Sequence, residues 1–194
     1  IGFRPNSYLL NQQVELGDSG AVIVDEYMQT SCPDVFAVGD VSTTYVNLLE
    51  KSYYLPHASD AVRDGEIAAI NLLAPRQKIN SSQGTYHVPM NNLVMAMTGI
   101  TMRQAVDSGY DADAVHLLNE HLDGHSPSNI WMIYERRTHQ ILGLQCIGKT
   151  SDMAEYVNIF SLAIQQKLKI EDIEFTDFYF EHGYKDPRGL NRIL

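Results

Sequence analysis

The feature that most constrains this chain is a break near its middle. Residues Arg76 to Thr85 run Arg-Gln-Lys-Ile-Asn-Ser-Ser-Gln-Gly-Thr, polar and rich in turn formers. A chain of 194 residues can form one large domain or two small ones, and a polar, turn-rich stretch of this kind reads as a linker between two. Two units are therefore expected, 1–80 and 81–194, joined by a linker.

Local patterning differs on the two sides. In the first unit, Leu9–Gln13 reads as a short helix and Gly17-Asp18-Ser19-Gly20 as a turn. Ala21–Asp25 and Val35–Val41 read as β-branched, apolar strands. Pro56 to Leu73 shows helical spacing, with Ala58, Ala61, Val62, Ile67, Ala68, Ala69, Leu72 and Leu73 as its apolar positions. Pro56 is tolerated in a first turn and Pro75 follows the end.

In the second unit, Leu93–Gly99, Ala112–Leu118, Asn129–Arg136 and Gln140–Ile147 read as strands. The last two are joined by Arg137-Thr138-His139, which suits a hairpin. Thr101–Ser108 fits a helix capped by Thr101 and stopped by Gly109. Met153 to Leu168 is a longer amphipathic helix, capped by Ser151 or Asp152, and Ile170–Ile173 starts another. Strands grouped together with helices set apart predict an α+β domain with a mostly antiparallel sheet.

Composition narrows the partners. Twenty-four acidic against fourteen basic side chains leave a net charge of −10. Phosphate backbones and anionic membrane surfaces call for basic faces, so neither nucleic acid nor a membrane is an expected partner. Apolar runs break within about ten residues, whereas a spanning helix needs about twenty. Cys32 and Cys146 form no C-x-x-C pair, which reads as two reduced thiols in a cytoplasmic protein. The chain opens on Ile1-Gly2-Phe3 without an initiator Met, as a piece of a longer protein or a processed chain would.

Three patterns can be read as chemistry or as architecture. Gly17-Asp18-Ser19-Gly20 has the wording of a serine protease nucleophile loop, but that chemistry needs a His and an Asp set by a double barrel, so a plain turn is preferred. His116, His121 and His125 lack an H-E-x-x-H frame and flank Gly124 and Pro127. They read as a solvated loop, and no metal site is expected. Met90, Met95, Met97 and Met102 read as core filler, and Trp131 as a core or interface anchor.

The most informative stretch is Thr30-Ser31-Cys32-Pro33-Asp34-Val35-Phe36-Ala37-Val38-Gly39-Asp40. It places Gly-Asp at the end of an extended segment. Gly39 allows close backbone approach to a ligand, and Asp40 offers two acceptor oxygens to hydroxyls. The helix opening near Pro56 adds a dipole end at the same edge.

This run resembles the second FAD-binding motif of the pyridine nucleotide-disulfide oxidoreductases. Ile1-Gly2-Phe3-Arg4-Pro5-Asn6, Gly20 to Thr30, the small residues Ala58, Ala61, Gly65 and Ala68, and Met97-Thr98-Gly99-Ile100-Thr101 are similar to further family segments in the same order. No His-Pro-Thr occurs, so the glutathione reductase type of tail is not matched. Asp177 to Pro187 instead resembles the aromatic tail of the NADH oxidase, NADH peroxidase and coenzyme A-disulfide reductase branch, departing from the oxidase form at Arg188.

The resemblance implies the end of an α/β FAD-binding domain (1–80) followed by a dimerisation domain (81–194). It implies FAD as cofactor, NADH as co-substrate and a homodimer. Asp40 is then expected on the ribityl chain, Gly39 and Val41 near the pyrophosphate, and Pro56, His57 and Ala58 at the helix facing the flavin ring. His182, Tyr179 and Tyr184 are expected to act in the partner subunit's site, the alternative being that the tail aromatics only pack the dimer interface. The first FAD motif, the NAD fingerprint and the redox cysteine are not found in these residues. The competing expectation is a catalytically inert dimerisation module that binds no cofactor on its own.

Overall fold

The computed structural model describes residues 2–10, 12–119, 128–148 and 153–178. It falls into two compact units, 1–82 and 83–194.

The first unit has a small apolar core of Val14, Val22 and Ala37, against which Leu10, Val24, Cys32, Val35 and Val41 pack. Its chain is extended but barely laddered. Val22 bridges Leu16 and Ser42, Val24 bridges Thr30, and Gln29 bridges Phe36, each at a single position. The expected strands Ala21–Asp25 and Val35–Val41 therefore do not form as strands. A ladder needs consecutive residues facing an extended partner. Here Asp25 turns the chain instead, its Oδ1 accepting the N–H groups of Tyr27 and Gln29 at 2.9 Å each. The second segment ends in a 3-10 turn, Gly39–Val41. The expected helix at Leu9–Gln13 is a 3-10 turn at Tyr8–Leu10, cut short by Gln12 at φ +64°.

A short hairpin, β1 (Thr44–Val46) with β2 (Lys51–Tyr53), follows; sequence patterning did not expect it. Helix α1 spans Ala58–Asn71. Its buried face is not the apolar stripe that periodicity suggested but Asp60, Asp64, Ala68 and Asn71. Val62 is 65% exposed and Leu73, just past the end, 92%. Asn71 ties down the segment after the helix. Its Nδ2 donates to Gln77 O at 2.8 Å, while the N–H groups of Arg76 and Gln77 donate to its Oδ1.

The second unit is a five-stranded antiparallel sheet in the order β3-β4-β7-β6-β5. Its strands are β3 (Tyr86–Met90), β4 (Leu93–Gly99), β5 (Ala112–Asn119), β6 (Ser128–Glu135) and β7 (Ile141–Gly148). Strand β3 went unread because it contains Pro89 and is exposed throughout, which only an edge strand tolerates.

Helix α2 (Met102–Asp107) starts with the expected cap. Gln104 N donates to Thr101 Oγ1 at 3.2 Å, and Thr101 N donates to Gln104 Oε1 at 2.9 Å. Helix α3 (Met153–Gln165) buries Met153, Tyr156, Val157, Phe160, Ala163 and Ile164, one continuous helical face, against the sheet. Close approach requires a bare Cα at Gly99, at φ +74°, where an added Cβ would meet Ile164 Cδ1 at 2.7 Å. Beneath α3, Thr85 and Thr98 hydroxyls lie 2.7 Å apart and Thr85 donates to Ser161 Oγ at 2.9 Å.

Helix α4 (Ile170–Glu174) docks on the β6–β7 hairpin: Ile170 N donates to His139 O, and His139 Nδ1 pairs with Glu171 Oε1. That contact, more than any other cause, holds the Glu171 carboxyl below its ordinary range.

Among the described residues, the sheet face away from α3 is open. By register, Tyr86, Met97, Gln145, Trp131 and His116 form one cross-strand row on it. Trp131, Met95, Val88 and Met90 border a half-open cavity of about 530 Å³ there. Met90 and Met95 are 46% and 44% exposed, so they do not fill a core as expected.

Candidate functional site: the Gly39–Asp40 turn and the start of α1

The Thr30–Asp40 run builds the site from a closed loop. Thr30 Oγ1 accepts the Cys32 N–H at 3.1 Å, and Thr30 N donates to Val35 O at 2.9 Å. Asp34 sits at φ +63°, a left-handed corner that Asp tolerates better than most residues. Ala37 N then donates to Met28 O at 3.2 Å, which delivers Val38, Gly39 and Asp40 in a fixed direction.

Gly39 is at φ +72°, and a Cβ placed on it would lie 3.2 Å from Ala61 Cβ. Glycine is thus needed twice, for the backbone conformation and for the closeness of α1. The Gly39 carbonyl accepts from Ser42 N and Ser42 Oγ, both at 2.9 Å. Val41 O accepts from Val22 N at 2.8 Å, which locks the far end of the turn onto the small core. Asp40 is exposed at the tip and Val41 half-buried.

At the start of α1, Pro56 and His57 are half-buried and Ala58 is exposed. His57 is the N-cap residue, and no side chain caps the helix there. Its carbonyl accepts from Ala61 N at 3.0 Å, the same Ala61 on which Gly39 packs. The structure therefore sets Gly39 against Ala61, one helical turn after His57. Unsatisfied backbone N–H groups at a helix start favour an anionic or hydrogen-bonding ligand. Burial and then the Asp40 carboxylate hold the Tyr54 hydroxyl above its ordinary value.

Three residues that sequence reading passed over line the buried side: Asp60, Arg63 and Asp64. Asp64 is 2% exposed and its Oδ1 has no hydrogen-bond partner. Burial, then the neighbouring Asp60, raise its pKa, opposed by Arg63 and the Gly39 N–H. The available signal was acidic residues at i and i+4 within an apolar helical pattern.

The other candidates are placed as follows. Gly17 to Gly20 is a turn, with Gly20 N donating to Gly17 O at 2.8 Å. His116 stacks on Trp131 with ring centroids 4.6 Å apart, and its Nε2 lies 3.0 Å from Asn129 Oδ1. His121, His125, Ser151 and Asp152 lie outside the described residues, as do Tyr179, His182 and Tyr184. Among the described residues no group of three or more His, Cys, Asp or Glu could hold a metal ion, and no helix is long and apolar enough to cross a membrane. Cys32 and Cys146 form no disulfide with each other; Cys146 is buried, its Sγ 3.5 Å from Ala96 O.

The chain belongs to the pyridine nucleotide-disulphide oxidoreductase family. Residues 1–65 match that family's model, and residues 87–180 match the model of its dimerisation domain.

An NADH oxidase of Enterococcus faecalis is 34% identical over 198 residues, covering 100% of this chain and 44% of that protein. A CoA-dependent NAD(P)H sulfur oxidoreductase of Pyrococcus furiosus is 27% identical over 184 residues, covering 92% of this chain and 41% of that protein. The structure of the water-forming NADH oxidase from Lactobacillus brevis, bound to NADH, superposes with a TM-score of 0.89 at 32% identity. That likeness covers 98% of this chain and 43% of the other. The chain thus spans less than half the length of these relatives.

Proposed function

We propose that this chain forms one wall of an FAD site and the subunit interface of an enzyme that oxidises NADH or NADPH and reduces oxygen, peroxide or a disulfide. The observation that carries the reading is the Gly39 turn: a left-handed glycine fitted against Ala61, with an exposed carboxylate at its tip and the start of α1 beside it. These residues fit a dinucleotide flavin. Asp40 accepts hydrogen bonds from ribityl hydroxyls, Gly39 and Val41 let the backbone approach the pyrophosphate, and Pro56, His57 and Ala58 present the helix start to the flavin ring. FAD, when bound, supplies the hydride acceptor that amino-acid side chains lack. The chain's task is to hold and orient it. Cys146 is buried and Cys32 packs on the small core, so the redox cysteine is assigned outside these residues.

The first unit is read as the end of the FAD-binding domain, and the second as the interface domain of a cytoplasmic homodimer. The sheet face with Trp131, Met95 and Val88, apolar and uncovered among the described residues, supports the second part, because exposed apolar side chains gathered on one face favour a partner. Tyr179, His182 and Tyr184 are assigned to the partner's site. Pairing a His182→Ala, Tyr184→Phe subunit with one lacking the redox cysteine is expected to restore about half-site activity in the heterodimer, which has one complete site. Normal activity of the tail variant by itself removes these residues from the site.

The central test is Asp40→Ala in the full-length enzyme. Losing a charged acceptor for ligand hydroxyls is expected to cost about 1–3 kcal/mol of FAD binding. Gel filtration that leaves as much flavin on the variant as on the parent would refute the assignment of Asp40. A full-length protein that is colourless as purified would favour the inert dimerisation module instead.

A further inference from the structure

The first turn of α1 gathers more polar chemistry than a helix start needs. Asp60 is 6% exposed, yet groups from three other residues converge on its carboxylate. Arg63 Nη2 donates to Oδ1 at 2.7 Å. Ser82 Oγ donates to Oδ2 at 3.1 Å and lies 3.3 Å from Oδ1. His57 Nδ1 stands 3.5 Å from Oδ2.

Two of these contacts have architectural explanations. A buried carboxylate needs a counter-charge, which Arg63 supplies. Ser82 fastens the helix to strand β1, since its own N–H donates to Tyr45 O at 2.9 Å. The third does not stabilise α1 as a cap, because no side chain caps this helix. It joins a rigidly held carboxylate to the imidazole at the helix start, one turn before the Ala61 on which Gly39 rests.

We propose that Asp60 is a positioning residue of the flavin site, holding the His57 imidazole in one orientation at the start of α1. This rests on the flavin reading of the turn. A carboxylate facing one ring nitrogen at ion-pair distance, 3.5 Å and without a hydrogen bond in this geometry, favours the ring rotation that keeps that nitrogen toward it. Asp60 itself, enclosed by Arg63, Ser82 and His57, acts through His57 and touches no ligand.

The test uses the full-length holoenzyme, reading the FAD dissociation constant by flavin fluorescence and the shape of the visible flavin band. Asp60→Ala and His57→Leu are each expected to weaken FAD about fivefold and to shift the band. Asp60→Ala in the His57→Leu background is expected to add less than about twofold, since residues acting as a unit are not additive. Ser82→Ala, which loosens the same carboxylate from its architectural partner, is expected to lower the melting temperature while FAD affinity stays within about twofold. Independent, multiplying effects of Asp60→Ala and His57→Leu overturn the proposal, as does a Ser82→Ala loss equal to that of Asp60→Ala. Should Asp60→Ala not fold, Asp60→Asn keeps the volume and the bonds to Arg63 and Ser82. An unchanged affinity and band in that variant overturn the proposal equally. The flavin reading fails separately, by a colourless parent or by Asp40→Ala retaining FAD.

Discussion

At the residue scale, the site depends on a few side chains whose burial and chemistry pull in opposite directions. Asp64 is the sharpest case. Its pKa is raised chiefly by burial and then by Asp60. Ionising it therefore costs more in the folded chain than in the unfolded one. Any stability it lends is fully present below the unfolded carboxylate value of about 4 and is lost as pH rises through its raised folded value. Asp64→Asn keeps the shape and removes the charge. Denaturant titrations are expected to show the variant at least as stable as the parent at pH 7, with the gap shrinking as the pH is taken below about 4. A gap that widens on acidification contradicts this sign. The legible part of the site was Gly39, Asp40 and the helix start. Asp60 and Asp64 were passed over: their i, i+4 spacing marked one helix face, but the helical pattern does not say that this face, rather than the apolar one, turns inward.

At the scale of elements, α3 and the central strands were readable because their patterns are complete in themselves. The six buried residues of α3 recur at helical spacing, and β4, β6 and β7 are apolar runs bounded by turns. Helix α2 was readable to its cap, since Thr101 and Gln104 settle it between neighbours. The segments 21–25 and 35–41 were misread for the converse reason: a strand exists only with a partner, and here the partners meet it at single positions. Phe160, 1% exposed, is the largest fully buried side chain of α3 and packs where that helix meets the sheet. Phe160→Ala is expected to cost about 3–5 kcal/mol through lost burial and the cavity left behind. Chemical denaturation of the second unit within the intact chain measures it, and a loss under about 1 kcal/mol would show that α3 does not anchor the sheet.

At the scale of the molecule, the open sheet face and the acidic surface set the association behaviour. The row Tyr86, Met97, Gln145, Trp131, His116 contains no Asp, Glu, Lys or Arg, in a chain of net charge −10. Self-association through an uncharged patch is then favoured, while repulsion acts elsewhere. Trp131→Asp is expected to turn a micromolar dimer into a monomer in sedimentation, with little change in folding, because the ring is already 36% exposed. A variant that remains dimeric moves the interface off this face. The sequence by itself determined the division into two units, the helices with closed patterns, the α+β character of the second unit and the family. Each of these rests on local periodicity, capping or a contiguous motif. Only the tertiary structure decided that α1 turns a polar face inward, that two expected strands are bridges, that Met90 and Met95 are exposed, and that Asp60 stands beside His57. Those outcomes depend on which surfaces meet across distant parts of the chain, and a local pattern carries no record of its partner.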